Sequence, residues 1–342
     1  MIKKVLFTLS FSCTALLSCP QLRKVDKAYE YSEKINGLSF VASPKQINAA
    51  DLMPVKKVTA KWVSLMPFAF MKNTDSPFIR YNNERQWRGE RIEGIKETAI
   101  TFKAQGISVM LKPQIWIGRG DFTGHIKMAT EENWKMLEQQ YEHFILDFAK
   151  AAEEVHCEIF CIGTELNSFV KARPDYWDTL ISRIKIIYHG KLTYAENWDT
   201  YTTVSFWKQL DYIGVDAYFP LSASKNVSEK ELESGWEKYK SEIKLLAEKN
   251  SKPVLFTEFG YRSCDYAAKE PWSNSKEPVN LNNQTIALKV LFNNFWNEKW
   301  FAGGFVWKWY DNEHAGGEAN TDYTPQNKPA EKFISDFYGK QK

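Results

Sequence analysis

The sequence predicts a single (β/α)8 TIM barrel. Eight short apolar runs of strand type alternate with helical patterns along the 342 residues, and no structureless stretch is long enough to be a domain linker. Two of those runs close on a glutamate. Phe256-Thr257-Glu258-Phe259-Gly260 continues the apolar Pro253-Val254-Leu255 and ends in a glycine that permits a tight turn; Glu158-Ile159-Phe160-Cys161-Ile162-Gly163-Thr164-Glu165-Leu166-Asn167 has the same build. A carboxylate at the end of a buried strand is costly to desolvate, a placement that packing alone seldom asks for. In a parallel barrel Glu165 and Glu258 would emerge on one face, the C-terminal face where barrel enzymes build their sites. A doubly wound sheet would also alternate strand and helix, but the glycine fingerprint it carries after its first strand is missing.

Each element can be justified in order. Ile35-Asn36-Gly37-Leu38-Ser39-Phe40 reads as the first strand, and Val58 to Met66 as the second, ended by Pro67. A mixed-charge helix from about Arg91 to Ala104 stops at Gly106, and Ile107-Ser108-Val109-Met110-Leu111-Lys112 follows as the third strand, ended by Pro113. Thr130 is placed to cap a long helix to about Val155, whose Leu137, Tyr141, Phe144, Ile145 and Phe148 recur at helical spacing. His143 on that helix reads as a surface residue. The run ending in Glu165 is the fourth strand. A helix from Tyr176 to Ile187 precedes Leu192-Thr193-Tyr194-Ala195, the fifth, and Tyr212-Ile213-Gly214-Val215 is the sixth. A helix from Glu229 to Lys249 leads into the Glu258 strand, the seventh. Another from about Asn282 to Asn297 precedes Gly303-Gly304-Phe305-Val306-Trp307, the eighth.

Ahead of the barrel, residues 1–18 read as an export leader: the basic Met1-Ile2-Lys3-Lys4, an apolar run from Val5 to Leu17, then Ser18-Cys19. The apolar run is too short to span a bilayer. Leu16-Leu17-Ser18-Cys19 resembles the bacterial lipobox, which implies that Cys19 is lipid-modified and becomes the mature N-terminus. The polar residues up to 33 would then tether a barrel domain of residues 34–342 to a membrane that the domain itself does not touch, at the cell surface or in the periplasm. The remaining Cys157, Cys161 and Cys264 are odd in number. The first two flank a strand and lie roughly 13 Å apart if it is extended, too far for a disulfide, so all three are expected as buried thiols. The five histidines form no metal-ligating cluster, and no phosphate-binding glycine loop is present, so neither a metal nor a cofactor is expected.

Composition narrows the partner. The net charge of +3, or +1 without Lys3 and Lys4, gives no reason to bind nucleic acid or acidic lipid. Aromatic residues make up 15% of the chain, with 13 Trp and 16 Tyr, more than a core needs. Such side chains suit flat apolar faces with a hydroxyl rim, as sugars have.

Five motifs in strand order sharpen this. Ile162-Gly163-Thr164-Glu165-Leu166, Tyr194-Ala195-Glu196-Asn197-Trp198, Asp211-Tyr212-Ile213-Gly214-Val215-Asp216-Ala217-Tyr218, Phe256-Thr257-Glu258-Phe259-Gly260 and Thr321-Asp322-Tyr323-Thr324-Pro325-Gln326-Asn327-Lys328-Pro329-Ala330 together resemble glycoside hydrolase family 113, the β-1,4-mannanases of clan A. The resemblance runs from about Ile35 to Tyr338. It implies a retaining endo-β-1,4-mannanase acting on mannan, glucomannan or galactomannan, with Glu165 as acid/base and Glu258 as nucleophile; a monomer is expected. It also implies that Tyr218 hydrogen-bonds the nucleophile. Such chemistry needs one carboxyl protonated and one ionised at the same pH, about 5 to 5.5 Å apart.

The sequence departs from the wider clan in two places. Thr164 stands where most members have Asn before the acid/base, and Ser64-Leu65-Met66-Pro67 stands where most have Arg. The contact to the sugar 2-hydroxyl is therefore unassigned, with Asn167 and Asn197 as candidate substitutes. Lys112 and Gln114, at the end of the third strand, are candidates to hydrogen-bond sugar hydroxyls, the lysine alternatively pairing with a nearby carboxylate. Trp116 and Trp198 follow strands three and five and are candidate sugar platforms, whereas Trp62 reads as packing. Phe305, Trp307 and Trp309 alternate on the eighth strand and should share one side, so one of the two tryptophans is expected to floor the subsite before the cleaved bond. Asp121, Asp311 and Glu313 fall on rim loops, as solvated turn residues or as ligands. The same scaffold could instead cut another β-linked glycan or work from a chain end, because rim loops decide specificity. A non-catalytic glycan-binding lipoprotein is the alternative of a different class.

Overall fold

The structure is a computed structural model and describes residues 33–341. The leader, Cys19 and nearly all of the tether lie outside the described residues. Ten strands are numbered here in chain order: β1 (Ile35–Phe40), β2 (Trp62–Leu65), β3 (Phe68–Met71), β4 (Ser108–Leu111), β5 (Gln114–Ile117), β6 (Ile159–Thr164), β7 (Lys191–Asn197), β8 (Ile213–Asp216), β9 (Val254–Phe259) and β10 (Phe301–Trp309). Eight of them close a parallel barrel in the order β1, β2, β4, β6, β7, β8, β9, β10 and back to β1, the (β/α)8 architecture expected from the alternation. Its strands read as nearly continuous apolar runs because both of their faces are covered, by helices outside and by packed side chains inside.

The helices are α1 (Met53–Lys57), α2 (Ile92–Lys103), α3 (Glu131–Glu154), α4 (Asn167–Ala172), α5 (Pro174–Ile187), α6 (Glu229–Asn250), α7 (Leu281–Phe295) and α8 (Pro329–Lys340). Local chemistry sets where they begin. The Thr130 hydroxyl accepts the Asn133 N–H at 3.2 Å, capping α3 as expected. Ser228 and Glu231 form a reciprocal capping box on α6. Proline occupies the first position of α5 and of α8, where its missing N–H costs nothing.

The barrel floor is a small cluster of Ile35, Met110, Ile159, Tyr212, Leu255, Ala302 and Phe305, with Trp62 packed against it as expected. Gly37 makes this packing possible: a Cβ there would lie 2.3 Å from the Phe305 ring. The larger core lies between strands and helices and contains Trp177, Trp207 and Trp236, all fully buried. Cys157, Cys161 and Cys264 are free buried thiols.

Three expectations are corrected. The second strand starts only at Trp62, because α1 occupies residues 53–57 and Thr59 turns with a φ of 55°. Pro67 and Pro113 end β2 and β4 but not the pairing. Beyond them β3 and β5 pair in parallel above the barrel rim, Phe68 opposite Gln114 and Phe70 opposite Trp116, with the Gln114 N–H donating to the Pro67 carbonyl at 2.9 Å. The two prolines lie side by side, and the ladder resumes directly beyond them. The alternation along β10 also fails. Val306 and Trp309 lie opposite Leu38 and Phe40, three residues against two, and this bulge resets which side each tryptophan faces.

Candidate active site

The site forms at the C-terminal ends of four strands. Leu111 is the last residue of β4, and Lys112 follows it into the closed interior, where it is fully buried. Its ammonium donates to Asp216, the last residue of β8, at 3.0 and 3.1 Å, and to Glu258 of β9. Asp216 also accepts the Thr257 hydroxyl at 2.7 Å. Glu258 is held on both oxygens. Gln114 joins Lys112 on Oε1 with a 2.8 Å bond, and the Tyr218 hydroxyl donates to Oε2 at 2.9 Å. Between them the three donors occupy both carboxylate oxygens and fix the direction in which they point.

Glu165 sits in a different environment. It follows β6 with a φ of 52°, in the left-handed region that non-glycine residues seldom occupy, and among the described residues its carboxyl has no hydrogen-bond partner. Burial, then the charges of Asp216 and Glu258, raise it well above the usual carboxylate range, against the pull of Lys112. Burial and the facing Glu258 likewise push Asp216 up to about 7, against Lys112 and Thr257. Lys112 is drawn both ways, since burial disfavours its charge, but Asp216 and Glu258 prevail and hold it above its usual range. One buried cation thus faces three acids, and Glu165, the only one of them with no donor on its carboxyl among the described residues, is biased towards its protonated form.

Glu165 and Glu258 line the same cleft, of about 780 Å3, with Asp216 and Tyr218. A family model described as Glycoside Hydrolase Family 113 matches residues 43–328. The chain belongs to glycoside hydrolase family 113. No curated protein matches its sequence. Among solved structures, this family 113 chain is similar to the GH113 β-mannanase AaManA from Alicyclobacillus acidocaldarius in complex with ManMIm, at 24% identity and a TM-score of 0.80, over 91% of this chain and 99% of that one. A GH113 β-1,4-mannanase complex follows at 22% identity and 0.79, over 90% and 99%. The Ruminococcus gnavus β-glucuronidase is further off, at 14% and 0.61, over 90% of this chain and 50% of that one. At these identities the likenesses speak for the fold.

The remaining residues of this glycoside hydrolase site divide into those the fold gathers and those it does not. Gln114, Trp116, Asn197, Trp198, Tyr218 and Trp307 all line the cleft. Trp116 is 52% exposed, carried out over the rim by β5, and meets Phe68 edge-on. The expectation that Lys112 binds sugar hydroxyls is corrected: enclosed by two carboxylates, it has no face open to the cleft. Asn167 is likewise not among the cleft residues; it opens α4, and its amide donates to Thr203 at 3.2 Å. Of the two alternating tryptophans, Trp307 lines the cleft and Trp309 is core at 0% exposure, because the bulge in β10 separates them. Asp121 reaches the cleft, whereas Asp311 accepts a hydrogen bond from Ser43 at 2.9 Å outside it.

Sequence reasoning passed over Asp216, although it meets the criterion that singled out the two glutamates, an acid closing a buried strand. Trp272 left no comparable signal. It lies in the long segment between β9 and α7, is 44% exposed, and stacks on Trp198 at 5.1 Å with planes 18° apart. Lys308 and Asp322, 3.4 Å apart, also line the cleft.

The raised Glu165 has a consequence for stability. Its folded value lies above the ordinary 4.5, so its contribution is fully present below pH 4.5 and is lost as pH rises towards the folded value. Glu165→Gln removes that loss. The variant is expected to melt higher than wild type at pH 7, by roughly 1 kcal/mol, the size of typical stabilising changes. Thermal unfolding at pH 7 and pH 4 checks this: the gap should close at the lower pH, and equal gaps at both would refute it.

Proposed function

We propose that the protein is a retaining endo-β-1,4-mannanase, cutting mannan, glucomannan or galactomannan by double displacement. The observation that carries the reading is the unequal treatment of two carboxyls in one cleft: Glu258 receives donors from Lys112, Gln114 and Tyr218, while the Glu165 carboxyl receives none among the described residues and is raised by burial and the neighbouring acids. In the first step a Glu258 oxygen bonds to the anomeric carbon as the glycosidic bond breaks, and Glu165 gives its proton to the departing oxygen. Forming the ester removes the Glu258 charge. One of the repulsions that kept Glu165 protonated disappears with it, so the same group can take a proton from the water that releases the sugar.

Family membership and the mannanases among the fold neighbours support mannose as the sugar. Cleft chemistry supports a neutral glycan, since Asp121, Asp199, Asp216, Asp322 and Glu258 stand against Lys308 and the buried Lys112. A uronate would meet net repulsion there. Internal cleavage is supported by the aromatic platforms, Trp116 on one rim and the Trp198–Trp272 stack on another, each able to carry further sugars of a chain. Export through the leader and anchoring through Cys19 would put the enzyme where polysaccharide is met, acting as a monomer.

Purified protein offered mannan, glucomannan, galactomannan, xylan and β-glucan, with products sized over time, tests this. Mixed manno-oligosaccharides should appear at the earliest times from the mannans alone. Release of monosaccharide only, or preference for xylan or β-glucan, would overturn the assignment. Binding without turnover would restore the non-catalytic alternative.

A further inference from the structure

Glu165 stands in a backbone conformation that its own residue type does not favour, so something outside it must hold the turn. Both peptide N–H groups around its Cα are tied to β7. Its own N–H donates to the Ala195 carbonyl at 2.8 Å, and the next N–H, that of Leu166, donates to the Tyr194 hydroxyl at 2.8 Å. Leu166 is the residue just before α4, and the phenol oxygen satisfies its N–H, one of the donors that a helix start leaves without an intrahelical partner. The same hydroxyl donates to Glu196 at 3.0 Å, and Glu196 is fixed on its other oxygen by the Asn197 N–H and the Thr200 hydroxyl, both at 2.9 Å. Tyr194 and Glu196 are both fully buried and touch neither the cleft nor Glu258. Nothing in the reaction described above uses them.

We propose that Tyr194 and Glu196 are positioning residues for the general acid: their hydrogen-bond chain to the Leu166 N–H holds the left-handed turn that aims Glu165 into the cleft. A phenol whose proton is drawn towards a carboxylate is a stronger acceptor for the peptide N–H, so the two contacts reinforce each other. Tyr194 acts through the backbone and Glu196 through Tyr194, in addition to the small direct effect of the Glu196 charge on Glu165. The inference rests on Glu165 being the acid.

The leaving group separates this role from general support of the fold. A dinitrophenyl β-glycoside of the sugar that wild type cleaves departs without a proton, whereas the natural glycosidic oxygen needs one. Tyr194→Phe and Glu196→Gln should each lower kcat/KM on the polysaccharide by roughly 10- to 100-fold, the size of a misaimed acid, and change it less than about threefold on the dinitrophenyl glycoside. Glu165→Ala, run in parallel, should show the same selectivity in larger measure. If it does and the Tyr194 and Glu196 variants lose both substrates equally, or neither, the positioning role is wrong while the acid assignment stands. If Glu165→Ala itself spares the polysaccharide, the acid assignment falls and takes the inference with it. Both variants are compared at a temperature below their measured melting points, so that unfolding does not enter the ratio.

Discussion

Glu258→Ala is expected to lower turnover by about 10⁴-fold or more, the scale on which covalent enzymes fail when the nucleophile is removed. The loss should fall on kcat, because Glu258 forms its bond only as the reaction proceeds. Added azide should restore part of the activity. It is small enough for the space the carboxylate leaves, and it approaches the anomeric carbon from the same side, so a β-linked substrate should yield the α-glycosyl azide. Product analysis by nuclear magnetic resonance checks the anomeric configuration. Wild-type activity in the variant, or a β-azide, would remove Glu258 from its role. The variant should nevertheless fold at least as well as wild type, because Lys112 is then left with Asp216 alone, one buried cation beside one buried anion. Wild type instead crowds three acids around that lysine.

Lys112→Met is expected to be the most damaging change away from the two glutamates. It strands Asp216 and Glu258 side by side without a counter-charge, and breaking a buried ion pair from one side typically costs about 3–5 kcal/mol. The two carboxylates would respond by sharing a proton, which disarms Glu258 at neutral pH. Activity near pH 7 should fall by roughly 10²–10³-fold, and the acidic limb of the pH profile should move upwards. The sign of the stability change follows from the same carboxylates. Losing Lys112 raises Asp216 further in the folded state, so the penalty is small below the ordinary 3.8 of an aspartate and grows as pH rises through the neutral range. Melting curves between pH 4 and pH 8 measure this; a penalty independent of pH would mean that Lys112 contributes through packing rather than charge.

The barrel and its two acids could be read from residue order, since both rest on local patterns. An apolar run closing on a carboxylate identifies a strand end wherever it occurs, and eight runs separated by helices leave little choice of fold. The same rule applied to Ile213-Gly214-Val215-Asp216 would have found the third acid near Lys112. The errors arose where a rule of local geometry met a tertiary exception. Pro67 and Pro113 do interrupt their strands, but as neighbours they interrupt at the same level, and the chain resumes pairing above them. Trp307 and Trp309 do alternate on an ideal strand, but β10 carries an extra residue against β1, and only Trp307 reaches the cleft.

Residue order by itself therefore determined the class of fold and picked out the two glutamates that line the cleft, because hydrophobic period and turn residues act over a few residues at a time. Tertiary structure decided that Lys112 serves carboxylates and not sugars, that Asn167 turns away from the cleft, and that Trp272 stacks on Trp198. Those outcomes depend on which distant segments a closed barrel brings within 3 to 5 Å of one another. Lys112 lies 146 residues from Glu258, and no pattern confined to either strand contains the charge that the other supplies.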